Sequence, residues 1–243
     1  MRTVSGQLDG QTVVLIGGSA GIGLETARRA RAEGAEVVLT GRNPERLRVA
    51  ADDVGARDVA AFDANDSAAL REFFDGLPGS VDHVLVTAGG PSYRPMLEMT
   101  ADDIREALSA HAVLGLEVAR SARPKMRADG SLVLMGGTGG RRIDHRLGIV
   151  SAATATLPPF TAALALELAP IRVNLIAAGF VDTPLSAALL GDQLDERRDE
   201  LRRTLPIGRV VGPEDVAALA VHLMVNGALT GATYDIDGGQ QFI

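Results

Sequence analysis

The chain has 243 residues, 46% of them hydrophobic, with a formal net charge of −7 and no cysteine. That length and apolar content suit one α/β unit whose sheet is covered on both faces. They exclude a disulfide framework, a thiolate nucleophile and a cysteine-based metal site, and the charge argues against general nucleic-acid binding. The first six residues carry no apolar signal region, and the longest apolar stretches read as strand-length and broken by glycine. A cytoplasmic protein without membrane or nucleic-acid partners and without a metal is therefore expected.

In chain order, the apolar run 13–16 enters Gly17-Gly18-Ser19-Ala20-Gly21-Ile22-Gly23, and a helical pattern over 21–33 starts inside it. Strand, glycine turn and helix start in this order make a dinucleotide site, because glycines let backbone N–H groups approach a pyrophosphate at the positive end of the helix. Next come strand 36–40, helix 44–53 opened by Pro44, strand 58–62 and a helix over 67–74. Strand 81–87, a long helix over 101–126 and strand 131–135 follow. The chain closes with a helix ending near Ala169, strand 172–176, helix 215–225 and strand 233–237. Such alternation predicts a single-domain, doubly wound, Rossmann-like parallel sheet with helices on both faces, spanning 1–243.

The glycine spacing G-x-x-x-G-x-G resembles that of the short-chain dehydrogenase/reductase family. So do Thr87-Ala88-Gly89, Ile171-Arg172-Val173-Asn174, Gly179-Phe180-Val181-Asp182-Thr183-Pro184 and Thr230-Gly231 before Asp237-Gly238-Gly239, in that order. The resemblance implies a nicotinamide cofactor held by Gly17, Ser19, Gly21, Ile22, Gly23, Ala88 and Gly89. It also implies Asp63 beside the adenine and Thr183 beside the nicotinamide or pyrophosphate. In doubly wound folds an acid about 20 residues past the glycines holds the ribose of NAD, whereas an arginine accommodates the 2′-phosphate of NADP. Here the second strand runs into Gly41-Arg42-Asn43 with no carboxylate, so NADP(H) is expected over NAD(H).

The family's chemistry rests on a tyrosine acid, a lysine four residues later, a serine and an asparagine. Registered on Glu167 and Arg172-Val173-Asn174, the tyrosine and lysine positions fall at Val150 and Thr154; the serine position falls at Gly137, or Gly136 one residue earlier, and the asparagine position, counted from Pro124, at His111. No Tyr-x-x-x-Lys exists anywhere: the chain has one lysine, Lys125, and two tyrosines, Tyr93 and Tyr234. A phenol with its ordinary pKa near 10 needs a neighbouring cation to act near neutrality. Substitute proton donors would come from His145, Tyr93 or Ser151. Pro158-Pro159 interrupts the family's catalytic helix, since an interior proline costs about 3 kcal/mol. The regular helix is therefore expected to start or kink near Leu157, with Thr156 as a possible N-cap and 148–156 partly irregular.

The segment 185–205, charged along one side, is the expected substrate lid within the domain. The resemblance further implies a small-molecule substrate and a homodimer or homotetramer. Three functions stay open on this reading: an oxidoreductase with a non-standard catalytic site, a catalytically inactive dinucleotide-binding sensor or regulator, and a non-redox lyase or isomerase.

Overall fold

The five residues of β1 (Thr12–Ile16) are all buried, and the last four alternate between two cores. Val14 and Ile16 pack into one, with Val38, Phe74, Val118 and Leu175. Val13 and Leu15 pack into the other, with Ala27, Val37, Val216 and Leu223. A strand buried on both faces needs helices on both sides of its sheet, and the chain supplies them. The chain is seen here as a computed structural model that describes residues 6–141, 143 and 147–243.

Around β1 lie β2 (Glu36–Gly41), β3 (Asp58–Ala61), β4 (Val81–Val86), β5 (Met126–Gly137), β6 (Arg172–Ala178) and β7 (Thr233–Ile236), in the order β3-β2-β1-β4-β5-β6-β7. Every pairing is parallel. The fold is thus the single-domain, Rossmann-like α/β sheet expected. Because β1 is flanked by β2 and β4, the order reverses beside it, and ligands of such sheets bind at the carboxyl ends of the strands at that point.

The crossover helices are α1 (Gly21–Ala32), α2 (Pro44–Val54), α3 (Ser67–Gly76), α4 (Ala101–Ala122), α5 (Ile149–Ala155), α6 (Leu157–Leu168), α7 (Pro184–Leu190), α8 (Leu194–Thr204) and α9 (Pro213–Val225). Local chemistry fixes several ends. The Asn43 side chain accepts from the Arg46 N–H, with Pro44 in the first turn. Asp66 caps α3, and Thr100 and Asp103 form a reciprocal capping box on α4.

Three expectations need correction. The long helix stops at Ala122 rather than continuing to 126: Arg123 keeps helical backbone (φ −46°, ψ −45°), but Pro124 has no N–H to carry the hydrogen-bond ladder on, and Met126 already pairs with Val81 in the sheet. Residues 149–155 are regular helix, not irregular, and Thr156 does not cap α6: it stays helical at φ −79° and its hydroxyl donates to the Ala153 carbonyl at 2.8 Å. The prolines sit in the first turn of α6, where missing N–H groups cost little, so the discontinuity is confined to the α5–α6 seam. Ile149–Leu168 is also long and apolar enough, by composition, to cross a bilayer. Half of it is buried inside this fold, as suits a core helix.

Candidate active site

The glycine turn joins the carboxyl end of β1 to α1 and is shaped by contacts only glycine permits. Gly17 has φ +104°, and a Cβ there would stand 2.7 Å from both the Ala88 nitrogen and Thr87 Oγ1. A Cβ on Gly23 would stand 2.3 Å from the Gly17 carbonyl oxygen. The Thr87 hydroxyl donates to that carbonyl at 3.0 Å, tying the end of β4 to the turn. α1 then follows from its N-cap Ala20, with no side-chain cap and no acid in its first turn. Its first N–H groups and positive dipole end are left without an internal anion, as a pyrophosphate site requires. These residues fit a dinucleotide.

The turn opens into a cavity of about 1300 Å³ above the carboxyl ends of the strands. A ligand pocket commonly measures 300–1,000 Å³, so this one has room for a cofactor and a substrate together. Of the expected cofactor residues, Gly17, Gly21, Ile22, Gly23, Ala88, Gly89 and Thr183 line it. Ser19, Arg42 and Asp63 do not. Ser19 packs against Gly41 at the end of β2, next to the exposed Arg42, which makes no hydrogen bond or ion pair with any described residue. Asp63 is exposed and accepts from the Asn65 backbone and side-chain nitrogens, closing a local turn. Arg46, one turn into α2, does line the cavity. Sequence reading missed it, although a basic residue just after the N-cap of the helix that follows the second strand was there to see.

The four positions that would carry proton chemistry all face this space: His111 from α4, Gly137 from the end of β5, and Val150 and Thr154 from α5. Around Gly139, a Cβ would touch Leu147 Cδ1, Val150 Cγ1 and Thr154 Oγ1 at 3.6–3.7 Å, so this wall is mostly apolar. The Thr154 hydroxyl donates back to the Val150 carbonyl at 2.8 Å, and its methyl stands 3.3 Å from where a Cβ on Gly137 would be. Serine at Gly137 would press on Thr154. Ser151 is buried beside Val150, its hydroxyl has no partner among the described residues, and it does not line the cavity. His145 lies outside the described residues.

Residues 17–241 match the family model described as enoyl-(acyl carrier protein) reductase. The chain belongs to the short-chain dehydrogenase/reductase family. It is 29% identical over 248 residues to the short-chain dehydrogenase/reductase ATR9 of Stachybotrys chlorohalonatus, covering 95% of this chain and 96% of the relative. It is 30% identical over 248 residues to the NADP-dependent (R)-specific alcohol dehydrogenase of Lentilactobacillus kefiri, covering 96% and 97%. Among solved structures, the MalC reductase/Diels-Alderase of Malbranchea aurantiaca superposes with a TM-score of 0.90 at 25% identity over 98% of both chains. BdcA in complex with NADPH gives 0.84 at 28% over 96% of both.

Within this short-chain dehydrogenase/reductase, α7 and α8 stand over the cavity and contribute Leu185, Leu189, Glu196, Arg197 and Glu200 to its wall. α8 is anchored by a two-pronged ion pair: Arg198 Nε and Nη2 donate to the two Asp182 oxygens at 2.9 and 2.8 Å. Thr183, next in sequence, packs beneath Gly21, its Cβ 3.4 Å from where a glycine Cβ would stand. Charge pairing elsewhere on the wall is local, with Arg94 on Asp103 at 2.7 Å and Arg197 on Glu200 at 2.6 Å. Tyr93 sits half-exposed on the rim; desolvation holds its phenol above the usual range, and nearby Arg197 offsets only part of that. Among the described residues no cluster of His, Asp and Glu has the makings of a metal site.

Proposed function

We propose that this protein is an NADP(H)-dependent oxidoreductase of small molecules with a non-standard catalytic site. The observation that carries the reading is the contrast along one cavity: the glycine turn and bare α1 terminus accept a pyrophosphate, while Val150, Thr154 and Gly137 bring no ionisable group. Gly17, Gly21, Ile22, Gly23, Ala88, Gly89 and Thr183 would hold the dinucleotide, and the nicotinamide would supply or accept a hydride. Arg42, with no carboxylate at the end of β2 and no other partner to satisfy, supports a 2′-phosphate and hence NADP(H), with Ser19 beside it and Arg46 one turn on. The NADP-dependent relative and the NADPH-bound neighbours point the same way. Asp63 is assigned to the adenosine end by resemblance.

Residues 185–205 act as the substrate lid, a role supported by the part of the cavity wall they supply. Exposed Val113 on α4 and Leu166 on α6 support a homo-oligomer; a cytoplasmic location is proposed from the sequence composition alone. The absence of an acid and lysine pair equally favours a dinucleotide-binding protein that does not turn over. Two measurements separate these readings. Titration of nicotinamide fluorescence should give NADPH binding at least ~10-fold tighter than NADH, a difference of about 1.4 kcal/mol. Turnover of NADPH with a panel of ketones and secondary alcohols should then be measurable; binding without turnover would leave the non-catalytic reading.

A further inference from the structure

Every titratable side chain that lines the cavity can be weighed for proton transfer. Arginines do not deprotonate near neutrality. Asp103 is held below the usual carboxylate range by hydrogen bonds from Thr100 and Arg94, so it keeps no proton to give. Glu200 is paired with Arg197, and Glu106 and Glu196 are exposed at the mouth. Tyr93 is on the rim with its phenol weakened as an acid.

His111 is different. It projects from the middle of α4 across the end of β4, where its Cε1 and Nδ1 come within 3.6 and 3.7 Å of where a Cβ on Gly89 would stand. Glycine at 89, with φ +97°, is what lets the ring lie against the backbone of the cofactor wall. The imidazole is half-buried, faces the same cavity as Val150 and Thr154, and makes no hydrogen bond or ion pair with any described residue. A half-buried polar ring that bonds no described residue, beside a cofactor turn, is available to a ligand.

We propose that His111 is the group that exchanges the proton with substrate in this protein, in place of the tyrosine acid that Val150 cannot supply. The proposal rests on the NADP(H)-dependent reading above. In the oxidising direction, neutral imidazole takes the hydroxyl proton of an alcohol as the carbinol carbon loses its hydride, leaving a carbonyl and an imidazolium that solvent deprotonates. In the reducing direction the imidazolium gives that proton to the substrate oxygen as the carbon gains the hydride. Burial alone keeps the ring below its ordinary value of 6.5. No charged group on the packed elements alters that: α5 carries none, and on the β4–α4 side Arg94 is paired with Asp103, leaving Glu106 at the mouth. At neutral pH the ring is therefore in its neutral form, the one the oxidising direction uses as its base.

The test uses the full chain and three readouts. NADPH binding is measured first by nicotinamide fluorescence; no binding overturns the cofactor reading and this proposal with it. Carbethoxylation with diethylpyrocarbonate, mapped by mass spectrometry, should modify His111, and saturating NADPH should suppress that modification at least ~5-fold. An unmodified or unprotected His111 overturns the proposal alone. With NADP+ and a panel of secondary alcohols, the oxidation rate should rise with pH through a midpoint below 6.5 and then level off. The reverse reduction should fall through the same midpoint. His111→Gln, which keeps the shape of the ring's polar end, should remove that limb and lower kcat by about 100-fold or more, with NADPH affinity unchanged. His111→Asn, the family's own residue at this position, should fail to rescue it. Turnover and pH limb surviving in His111→Gln, or no turnover across the panel despite NADPH binding, overturn the proposal.

Discussion

The two ends of the parallel sheet treat their polar groups in opposite ways. At the amino ends of the strands, polar side chains are buried and satisfied by one another. His83 Nδ1 meets Ser131 Oγ at 2.8 Å and its Nε2 meets Gln11 Oε1 at 2.7 Å; Asp82 accepts from the Thr12 N–H at 2.7 Å. Arg172 donates to the Leu223 and Met224 carbonyls, each at 2.6 Å, closing the last turn of α9. At the carboxyl ends, the α1 terminus has no side-chain cap and the His111 ring bonds no described residue, and both face a cavity. The first arrangement holds the fold; the second leaves polar groups open to the cavity.

That contrast can be broken from either end, and the largest effect is expected at the closed one. Arg172→Met should leave two buried carbonyls of α9 without donors and cost on the order of 4 kcal/mol, read as a drop in the urea unfolding midpoint. Cofactor affinity at temperatures where the variant is folded should not change. Loss of stability equal to a surface substitution would refute this account of the closed end.

His83 gives the next effect. Desolvation, reinforced by the Arg172 charge, lowers its pKa from 6.5 to about 4. The unfolded chain then binds the proton that the native ring refuses, so stability is complete above pH 6.5 and is lost as pH falls toward 4. The loss should approach about 3 kcal/mol. His83→Gln should flatten the acid limb of an unfolding-versus-pH series; an unchanged limb would place its origin elsewhere.

At the open end, function should suffer before stability does. Gly17→Ala forces a side chain onto a φ of +104° and against Ala88 and Thr87. Strain of about 1–3 kcal/mol in the turn should appear as a ~10- to 100-fold loss of NADPH affinity. Arg42→Ala should be smaller and selective, weakening NADPH by about 10-fold while leaving NADH nearly unchanged, with the thermal midpoint unmoved. Equal loss for both cofactors would sink the 2′-phosphate assignment.

How much of this was legible in the sequence differs between the same two ends. The alternation of strands and helices, the doubly wound topology and the glycine turn follow from local patterns: apolar runs of strand length, glycines at fixed spacing, and a proline, Pro44, suited to a helix's first turn. The missing Tyr-x-x-x-Lys is a statement about composition and spacing alone, since no tyrosine is followed by a lysine four residues on. The α5–α6 seam was harder to read, because Pro158-Pro159 looks like a break in one dimension. In the fold it falls in a first turn, where the missing N–H groups cost little. Likewise Pro124, not the apolar pattern, ended the long helix.

The sequence by itself determined the fold class, the glycine turn after the first strand and the absence of a Tyr-x-x-x-Lys, because each depends on residues close together in the chain. Only the tertiary structure decided which polar groups are left without partners. Gln11 and Ser131 lie 72 and 48 positions from the His83 they both bond, whereas His111 is brought against Gly89 with no hydrogen bond to any described residue. Hydrogen-bond satisfaction is a property of three-dimensional neighbours, so no spacing rule along the chain distinguishes a histidine that supports the core from one held open to the cavity.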